Sequence, residues 1–166
     1  MSNFPGRPRR LDGVPYVGYQ RYFATTCTSF RRRAFDEEWA VTLVTGQLRQ
    51  NAARFDFSVL AYCVMPDHVH LFVSAESERA DFVAFMKRFK QMTGFAYKKH
   101  TTDALWQPGY HERVLRDDEA GEAVARYILA NPVRAGLATQ LGEYPHAGSD
   151  VYTLEELLTA WEAWQA

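Results

Sequence analysis

The pattern of polar and apolar positions along the chain predicts four β-strands. Alternation of β-branched and aromatic residues predicts a strand over residues 20–28, a mostly apolar run predicts a second strand over residues 57–65, and a third strand is predicted over residues 68–74. A tight Pro-Asp turn between the last two strands joins them into a hairpin. A weaker alternation predicts a fourth strand over residues 110–115, after a loop that contains proline and glycine.

Apolar residues that recur with a period near 3.6 predict the helices between these strands. The first helix covers residues 37–53, with Asp36 as the expected N-cap. The second helix is long, because its apolar stripe runs from Ser77 or Glu78 to about Lys99.

Two further helices are expected after the fourth strand. Three acidic residues at positions 117–119 suit the first turn of a helix, where the helix dipole favours negative charge. That helix should stop at Asn131, because Pro132 disfavours helical backbone in the residue before it. Thr153 and Glu156 have the spacing of a capping box, which predicts the start of the final helix.

The order β-α-β-β-α-β, followed by two helices, predicts an α+β fold of the ferredoxin-like type. In that topology a four-stranded antiparallel sheet carries two helices on one face, and its third strand lies between the first and the second. We expect a single domain over residues 19–140. Residues 1–18, with three prolines and three glycines, form a basic N-terminal arm, and residues 141–166 form an acidic helical extension.

The composition is that of an ordinary globular protein. The chain has 166 residues, of which 47% are hydrophobic. Its longest mostly apolar run, residues 58–65, is far too short to span a bilayer, and the N-terminus lacks the apolar segment of a signal peptide. We therefore expect a cytoplasmic protein without a membrane partner. Cys27 and Cys63 are interpreted as buried thiols.

The charges are unevenly distributed along the chain. The net charge of −1 at pH 7 argues against a nucleic-acid binder. However, residues 1–33 carry a net charge of +6, residues 141–166 carry −5, and residues 82–102 contain five basic side chains and no acid. Either basic patch alone is typical of a solvated surface, but two patches beside a catalytic site indicate a path for a polyanion.

Two histidines on the third strand form the first candidate site. His68 and His70 are two residues apart, so their imidazoles project from the same face of the strand and can converge on one cation. Val69 and Leu71 then face the core. The alternative is that two histidines happen to alternate on a half-exposed strand, because a bare His-x-His pattern is a weak signal.

A tyrosine and an asparagine on the third helix form the second candidate site. Tyr127 and Asn131 are four residues apart and share one helix face. The carboxamide oxygen of Asn131 can serve as a neutral metal ligand, and Tyr127 can serve as a nucleophile if a nearby cation or base activates its phenol. The alternative is a tyrosine that packs in the core and an asparagine that only ends the helix.

Together the two sites suggest chemistry on a phosphate. Two imidazoles and one amide oxygen leave positions on a divalent ion open for a phosphate oxygen. No phosphate-binding P-loop, GxSxG or HExxH motif is present in the sequence, so nucleotide hydrolases, serine hydrolases and zincins lack support.

These motifs resemble those of the REP-associated tyrosine transposases, which belong to the single-tyrosine HUH transposases. The similar segments are MPDHVHLFV, the basic helix after it, WQPGYHERVLRD and ARYILANPVRAGL, within residues 16–145. The resemblance implies that His68 and His70 bind Mg²⁺ or Mn²⁺ and that Tyr127 is the nucleophile. It also implies that Asn131 is the third ligand, where other single-tyrosine transposases have glutamine.

The resemblance further implies the reaction and the partner. The tyrosine would attack a phosphate of single-stranded DNA, which leaves a 5′-phosphotyrosine link and a free 3′-OH, and rejoining would reverse this step without ATP. The DNA partner would be the hairpin of a repetitive extragenic palindrome (REP), and the protein would act as a monomer. The alternatives are an endonuclease that uses water and a hairpin-binding protein without catalytic activity.

Basic residues near these motifs are predicted to contact the DNA. For each group the alternative is a solvated surface or a loose arm. The predicted DNA-binding residues are Arg7, Arg9 and Arg10 in the arm, Arg31, Arg32 and Arg33 after the first strand, Lys87, Arg88, Lys90 and Lys98 on the second helix, and Arg134 after the third helix.

Overall fold

The computed structural model describes residues 10–116 and 121–165 of the chain. Within these residues the strands and helices follow one another in the predicted order, with short additions near the C-terminus. The elements are β1 (Arg21–Cys27), α1 (Glu38–Arg54), β2 (Phe57–Met65), β3 (His68–Ala75), α2 (Phe82–Thr101), β4 (His111–Leu115), α3 (Gly121–Leu129), α4 (Asn131–Arg134), β5 (Ala147–Gly148) and α5 (Leu154–Gln165).

The strands form one antiparallel sheet in the order β4-β1-β3-β2-β5. The prediction that the third strand lies between the first and the second is confirmed. The predicted count of four strands is wrong, because β5 adds a fifth strand at the edge of β2. Only Ala147 and Gly148 form it, opposite Cys63 and Tyr62, and two residues are too few to show a hydrophobic period.

Helices cover both faces of the sheet. On one face α1 and α2 pack on a core that includes Tyr22, Leu71 and Phe85. On the other face α3 and α5 pack on a second core that includes Ile128 and Leu157. Helices α1 and α2 therefore lie on one face of the sheet, as the ferredoxin-like topology predicts. Helices α3 and α5 make a third layer on the opposite face, from which His68 and His70 project.

Two helices begin later than their patterns predict. The second helix begins at Phe82, because the Asp81 carboxylate accepts a hydrogen bond from the Ala84 amide at 2.9 Å and caps the helix there. The first helix begins at Glu38, and Asp36 does not cap it. Asp36 instead ends a short 3₁₀ turn, and its carboxylate pairs with Arg33.

The third helix ends two residues before the predicted stop at Asn131, and Asn131 is itself helical although it precedes Pro132. The acidic residues 117–119 lie outside the described residues. The third helix ends at Leu129, and a separate short helix starts at Asn131 with Pro132 in its first turn. The capping box is confirmed, since the Glu156 amide donates to Thr153 Oγ1 at 3.1 Å and the Thr153 amide donates to Glu156 Oε2 at 2.7 Å.

In residues 10–116 and 121–165, no helix is long and apolar enough to cross a bilayer. Both cysteines are free and buried, as expected.

Candidate active site

The two motif histidines meet on the central strand. His68 Nε2 and His70 Nε2 lie 3.1 Å apart, and the two rings are nearly perpendicular. Val69 and Leu71 are fully buried on the opposite face of the strand, as the alternation predicts. The imidazoles therefore direct their Nε2 atoms into one small space on the α3 side of the sheet.

Each imidazole is oriented through its other nitrogen. Asp67 Oδ1 lies 2.6 Å from His68 Nδ1, and Thr25 Oγ1 lies 2.8 Å from His70 Nδ1. An ionised carboxylate only accepts hydrogen bonds, so Asp67 keeps the proton of neutral His68 on Nδ1 and leaves a lone pair on Nε2. Such partners fix the ring orientation that a metal ligand needs.

The environment keeps His70 in its neutral form. Burial lowers the pKa of His70 to about 4, and the neighbouring His68, Arg134 and Arg31 act in the same direction. At neutral pH the ring therefore retains an unprotonated nitrogen, which is the form that binds metal ions.

Tyr127 stands above this pair, on the exposed side of α3. Its side chain is 53% exposed, and its ring meets Phe23 edge-on with 6.4 Å between the ring centres. Phe23 in turn stacks on His70 at 5.7 Å. The guanidinium of Arg134 lies 4.1 Å from the centre of the Tyr127 ring. The structure thus brings the predicted nucleophile and the predicted metal ligands onto one face of the sheet.

A cleft borders the tyrosine. It has a volume of about 390 Å³ and is lined by Phe23, Arg113, Ala123, Val124 and Tyr127. Its walls are mostly apolar, and the lining residues come from α3, the edge strand β4 and the neighbouring strand β1. The phenol of Tyr127 is therefore accessible from an open surface rather than from an enclosed pocket.

The Asn131 carboxamide is engaged within its own helical segment. Asn131 Nδ2 donates to the Ile128 carbonyl at 3.1 Å, and Asn131 Oδ1 accepts from Arg134 Nη2 at 2.8 Å. In the part of the chain that the structure describes, no group of three or more His, Cys, Asp or Glu side chains could hold a metal ion. A ligand role for Asn131 stays a prediction, and it requires that Arg134 release the carboxamide.

The three arginines after β1 all have acidic partners. Arg31 Nε lies 2.9 Å from Asp67, Arg32 Nη1 lies 2.7 Å from Asp103, and Arg33 Nε lies 2.8 Å from Asp36. Arg31 is the one next to the histidines, because its partner Asp67 is also the partner of His68. A role in binding DNA stays a prediction for all three.

The other predicted DNA-binding residues fall into three groups. Arg10 pairs with Glu112 at 3.1 Å and lies over the Tyr110 ring, whereas Arg7 and Arg9 lie outside the described residues. On α2, Lys90 donates to the carbonyls of the following loop, and the remaining predicted residues Lys87, Arg88 and Lys98 are half-buried or exposed. Arg134 lies over Tyr127.

Sequence reasoning missed Thr25 and Phe23, which contact the site from the neighbouring strand. Thr25 lies directly opposite His70 in the β1–β3 register. Phe23 is two residues away and projects from the same face. The β1 alternation places both on one face, but only the strand register identifies that face as the one with the histidines.

Comparisons with known proteins identify the family of this chain. The family described as "Transposase IS200 like" matches residues 17–131. The chain belongs to this family of transposases, which are enzymes that cleave and transfer DNA. It thereby also belongs with the single-tyrosine transposases that its motifs resemble.

Individual relatives include REP-associated proteins. The chain is 28% identical to a REP-associated tyrosine transposase of Escherichia coli K12 over 90 residues. This aligned region covers 54% of this chain and 52% of the relative. It is 33% identical to the ISDra2 transposase TnpA of Deinococcus radiodurans over 96 residues. This aligned region covers 57% of this chain and 68% of the relative.

A solved structure has the same fold. It is that of a REP-associated tyrosine transposase bound to a REP hairpin, and it superposes with a TM-score of 0.69 over 94% of this chain and 96% of that one. The two sequences are 19% identical, so this likeness concerns the fold.

Proposed function

We propose that this protein is a metal-dependent transposase that cleaves and rejoins single-stranded DNA at REP-type hairpins, with Tyr127 as the nucleophile. One observation carries the proposal. Tyr127 is exposed at the surface, yet its ring contacts Phe23, and Phe23 contacts His70. A polymer can therefore reach the phenol while its phosphate approaches the histidine pair.

The chain's own groups account for the steps of strand cleavage. Tyr127 Oη attacks the phosphorus and its proton passes to solvent, while the bond from phosphorus to the 3′ oxygen breaks and that oxygen takes up a proton from solvent. The products are a 5′-phosphotyrosine ester and a free 3′-OH. One phosphoester replaces another, so rejoining to a 3′-OH is the same exchange in reverse and needs no ATP. The guanidinium of Arg134 lies over the tyrosine ring, where its positive charge would stabilise the negative charge of the reacting phosphate.

The histidine pair fits a divalent metal ion, either Mg²⁺ or Mn²⁺. His68 and His70 are oriented through their Nδ1 atoms, and His70 is neutral, so both are suited as nitrogen ligands. Asn131 is the third ligand in this proposal. When bound, the ion would polarise the scissile phosphate and stabilise the negative charge that develops on the leaving oxygen.

The substrate in this proposal is a REP hairpin with single-stranded flanks. Support comes from the solved relative, whose structure contains a REP hairpin. The active form is a monomer, because Tyr127 and the histidines of one chain already meet around Phe23. Acting on DNA, the protein would work in the cytoplasm, at the nucleoid.

The test is a covalent capture assay. The protein is incubated with Mn²⁺ and a labelled single strand that carries a REP hairpin, and the products are run on denaturing gels before and after protease treatment. We expect a protease-sensitive adduct that is absent from Tyr127→Phe and present in Tyr19→Phe, which alters an exposed tyrosine in the N-terminal segment.

Two other results would overturn the proposal. Cleavage that persists in Tyr127→Phe without an adduct would indicate a nuclease that uses water. Hairpin binding without cleavage, unaffected by a chelator, would indicate a binding protein. A second variant tests the metal role: His70→Ala should abolish cleavage and leave hairpin affinity nearly unchanged, whereas an equal loss of affinity would make the histidines structural.

A further inference from the structure

The cleft beside the nucleophile extends along the helix that carries it. Tyr127 lines the cleft together with Ala123 and Val124, which lie one helical turn earlier on α3. Phe23 of β1 and Arg113 of β4 complete the lining. A helical side chain leans over the turn that precedes it, so the tyrosine ring forms one wall of the cleft. Attack on a phosphate requires only an exposed phenol, and the cleft therefore calls for a separate explanation.

The cleft suits a flat and uncharged group. Its volume of about 390 Å³ lies within the range of pockets for small organic ligands, roughly 300–1,000 Å³. Most of its surface is carbon, from the two aromatic rings and from Ala123 and Val124. Among the residues that the structure describes, no acidic side chain lines it, so the cleft does not repel a polyanion. The group of this kind that DNA offers is a nucleobase.

The walls of the cleft are fixed by the site itself. Phe23 is half-buried, and its ring is held between His70, on which it stacks, and Tyr127, which it meets edge-on. On the α3 side, Ala123 is exposed and contributes only a methyl group, so the entrance stays open. The cleft therefore has a constant position relative to both the nucleophile and the histidine pair.

Resting on the proposed function, we propose that this cleft is a subsite for one unpaired nucleobase, that of the nucleotide which Tyr127 holds through its 5′ phosphate. A base is joined to its own 5′ phosphate through a single sugar, and Tyr127 is itself a wall of the cleft. A base inside a duplex has both faces covered by its neighbours, so the occupant is single-stranded. The cleft selects which phosphate reaches Tyr127 and retains the covalently bound strand while the 3′-OH end leaves.

The first experiment locates the bound base without cleavage. The Tyr127→Phe protein keeps the ring that forms the wall and cannot form the adduct. Its affinity for a labelled strand with a REP hairpin is measured by fluorescence anisotropy while an abasic site is moved through the unpaired flank. We expect a strongest position, at which loss of the base weakens binding roughly 5- to 150-fold. In the wild-type protein the strand should break immediately 5′ of that nucleotide.

A variant that fills the cleft tests where the base lies. Ala123→Phe, added to the Tyr127→Phe protein, introduces a ring from an exposed position of α3. It should weaken binding of the intact strand by a similar factor and leave binding of the abasic strand unchanged, because the missing base leaves room for the ring. Binding of a hairpin without flanks should stay constant, which shows that the variant is folded. Ala53→Phe makes the same change at an exposed position of α1 and should match its parent.

Several outcomes would overturn the inference. These are an abasic scan without a sensitive position, a break that is not adjacent to the sensitive nucleotide, or an equal loss of affinity for the intact and abasic strands in Ala123→Phe. A cleft that receives an apolar segment of another protein would give the first of these results. If the wild type forms a covalent adduct but Ala123→Phe binds the intact strand normally, only this inference fails. If no adduct forms while binding depends on one base and on Ala123, only the proposed cleavage fails.

Discussion

The carboxylate of Asp67 lies 2.6 Å from His68 Nδ1. Its second oxygen lies 2.9 Å from Arg31 Nε, so one side chain connects a histidine of the central strand to a cation of the neighbouring turn. The contact between Asp67 and His68 determines which nitrogen of His68 carries the proton, because an ionised carboxylate can only accept a hydrogen bond. Asp67 is therefore a positioning residue for the histidine site.

Removing this carboxylate should weaken metal binding. In Asp67→Ala the His68 ring loses its fixed tautomer, and we expect Mn²⁺ affinity to fall about 10- to 100-fold in isothermal titration calorimetry. Asp150→Ala breaks the exposed ion pair with Arg49 and serves as the matched control. If Asp67→Ala binds Mn²⁺ as tightly as Asp150→Ala does, the carboxylate does not position the ligand.

Phe23 should link stability and catalysis. Its half-buried ring touches both His70 and Tyr127, so Phe23→Ala removes packing from both sides of the site. We expect a loss of about 2 kcal/mol in the free energy of unfolding, measured with urea, together with slower adduct formation. Phe23→Leu keeps most of the volume and should cost less than about 1.5 kcal/mol. Equal losses for the two variants would contradict a packing role for Phe23, because leucine restores most of the lost volume.

Cys63 should be inert in the native protein. It is fully buried, and burial raises the pKa of its thiol to about 12. In the Cys27→Ser variant, where Cys63 is the remaining thiol, a disulfide reagent at pH 8 should react only after urea unfolds the chain. The reciprocal Cys63→Ser variant reports on Cys27 in the same assay. Rapid labelling of Cys63 without urea would mean that the core beneath α3 opens readily.

Arg10 should contribute to stability, because its partner is buried. The Glu112 side chain is 2% exposed, and Arg10 reaches it while also covering the Tyr110 ring. Arg10→Ala leaves that carboxylate without its cation, and we expect a loss of about 2 kcal/mol in thermal or urea unfolding. In the Glu112→Gln background the same change should cost clearly less. Identical costs in the two backgrounds would show that the ion pair does not contribute.

The capping box at α5 should respond to pH. Hydrogen bonds from the Thr153 amide and hydroxyl hold the pKa of Glu156 below its usual range. The ionised form is therefore favoured by folding, so this contribution is present above the ordinary carboxylate pKa and is lost as pH falls through the lowered value.

The variant Thr153→Ala tests this cap. It should lower the free energy of unfolding by about 1 kcal/mol at pH 7 and by less at pH 3, as judged from thermal melts. Thr159→Ala lies on the same helix outside the box and serves as the control. A pH-independent effect of Thr153→Ala would mean that Glu156 does not take part.

Local patterns predicted most of the elements. The mostly apolar run of residues 57–65 predicts β2 with its observed bounds, because a strand that is covered by helices on both faces is buried along most of its length. The spacing of His68 and His70 predicts their convergence, since a strand repeats every two residues. The Thr153 cap also follows from neighbouring residues alone.

Contacts between distant segments decided the rest. Asp81 rather than Ser77 starts α2, and two residues near position 147 extend the sheet. Thr25 and Phe23 reach the site because the β1–β3 register sets them beside His70. Arg31 reaches Asp67 because the turn after β1 is hydrogen-bonded to the β2–β3 hairpin. Such contacts depend on which strands pair and on which of several nearby acids an arginine reaches. A short window of sequence does not contain this information, because the residues involved are far apart along the chain.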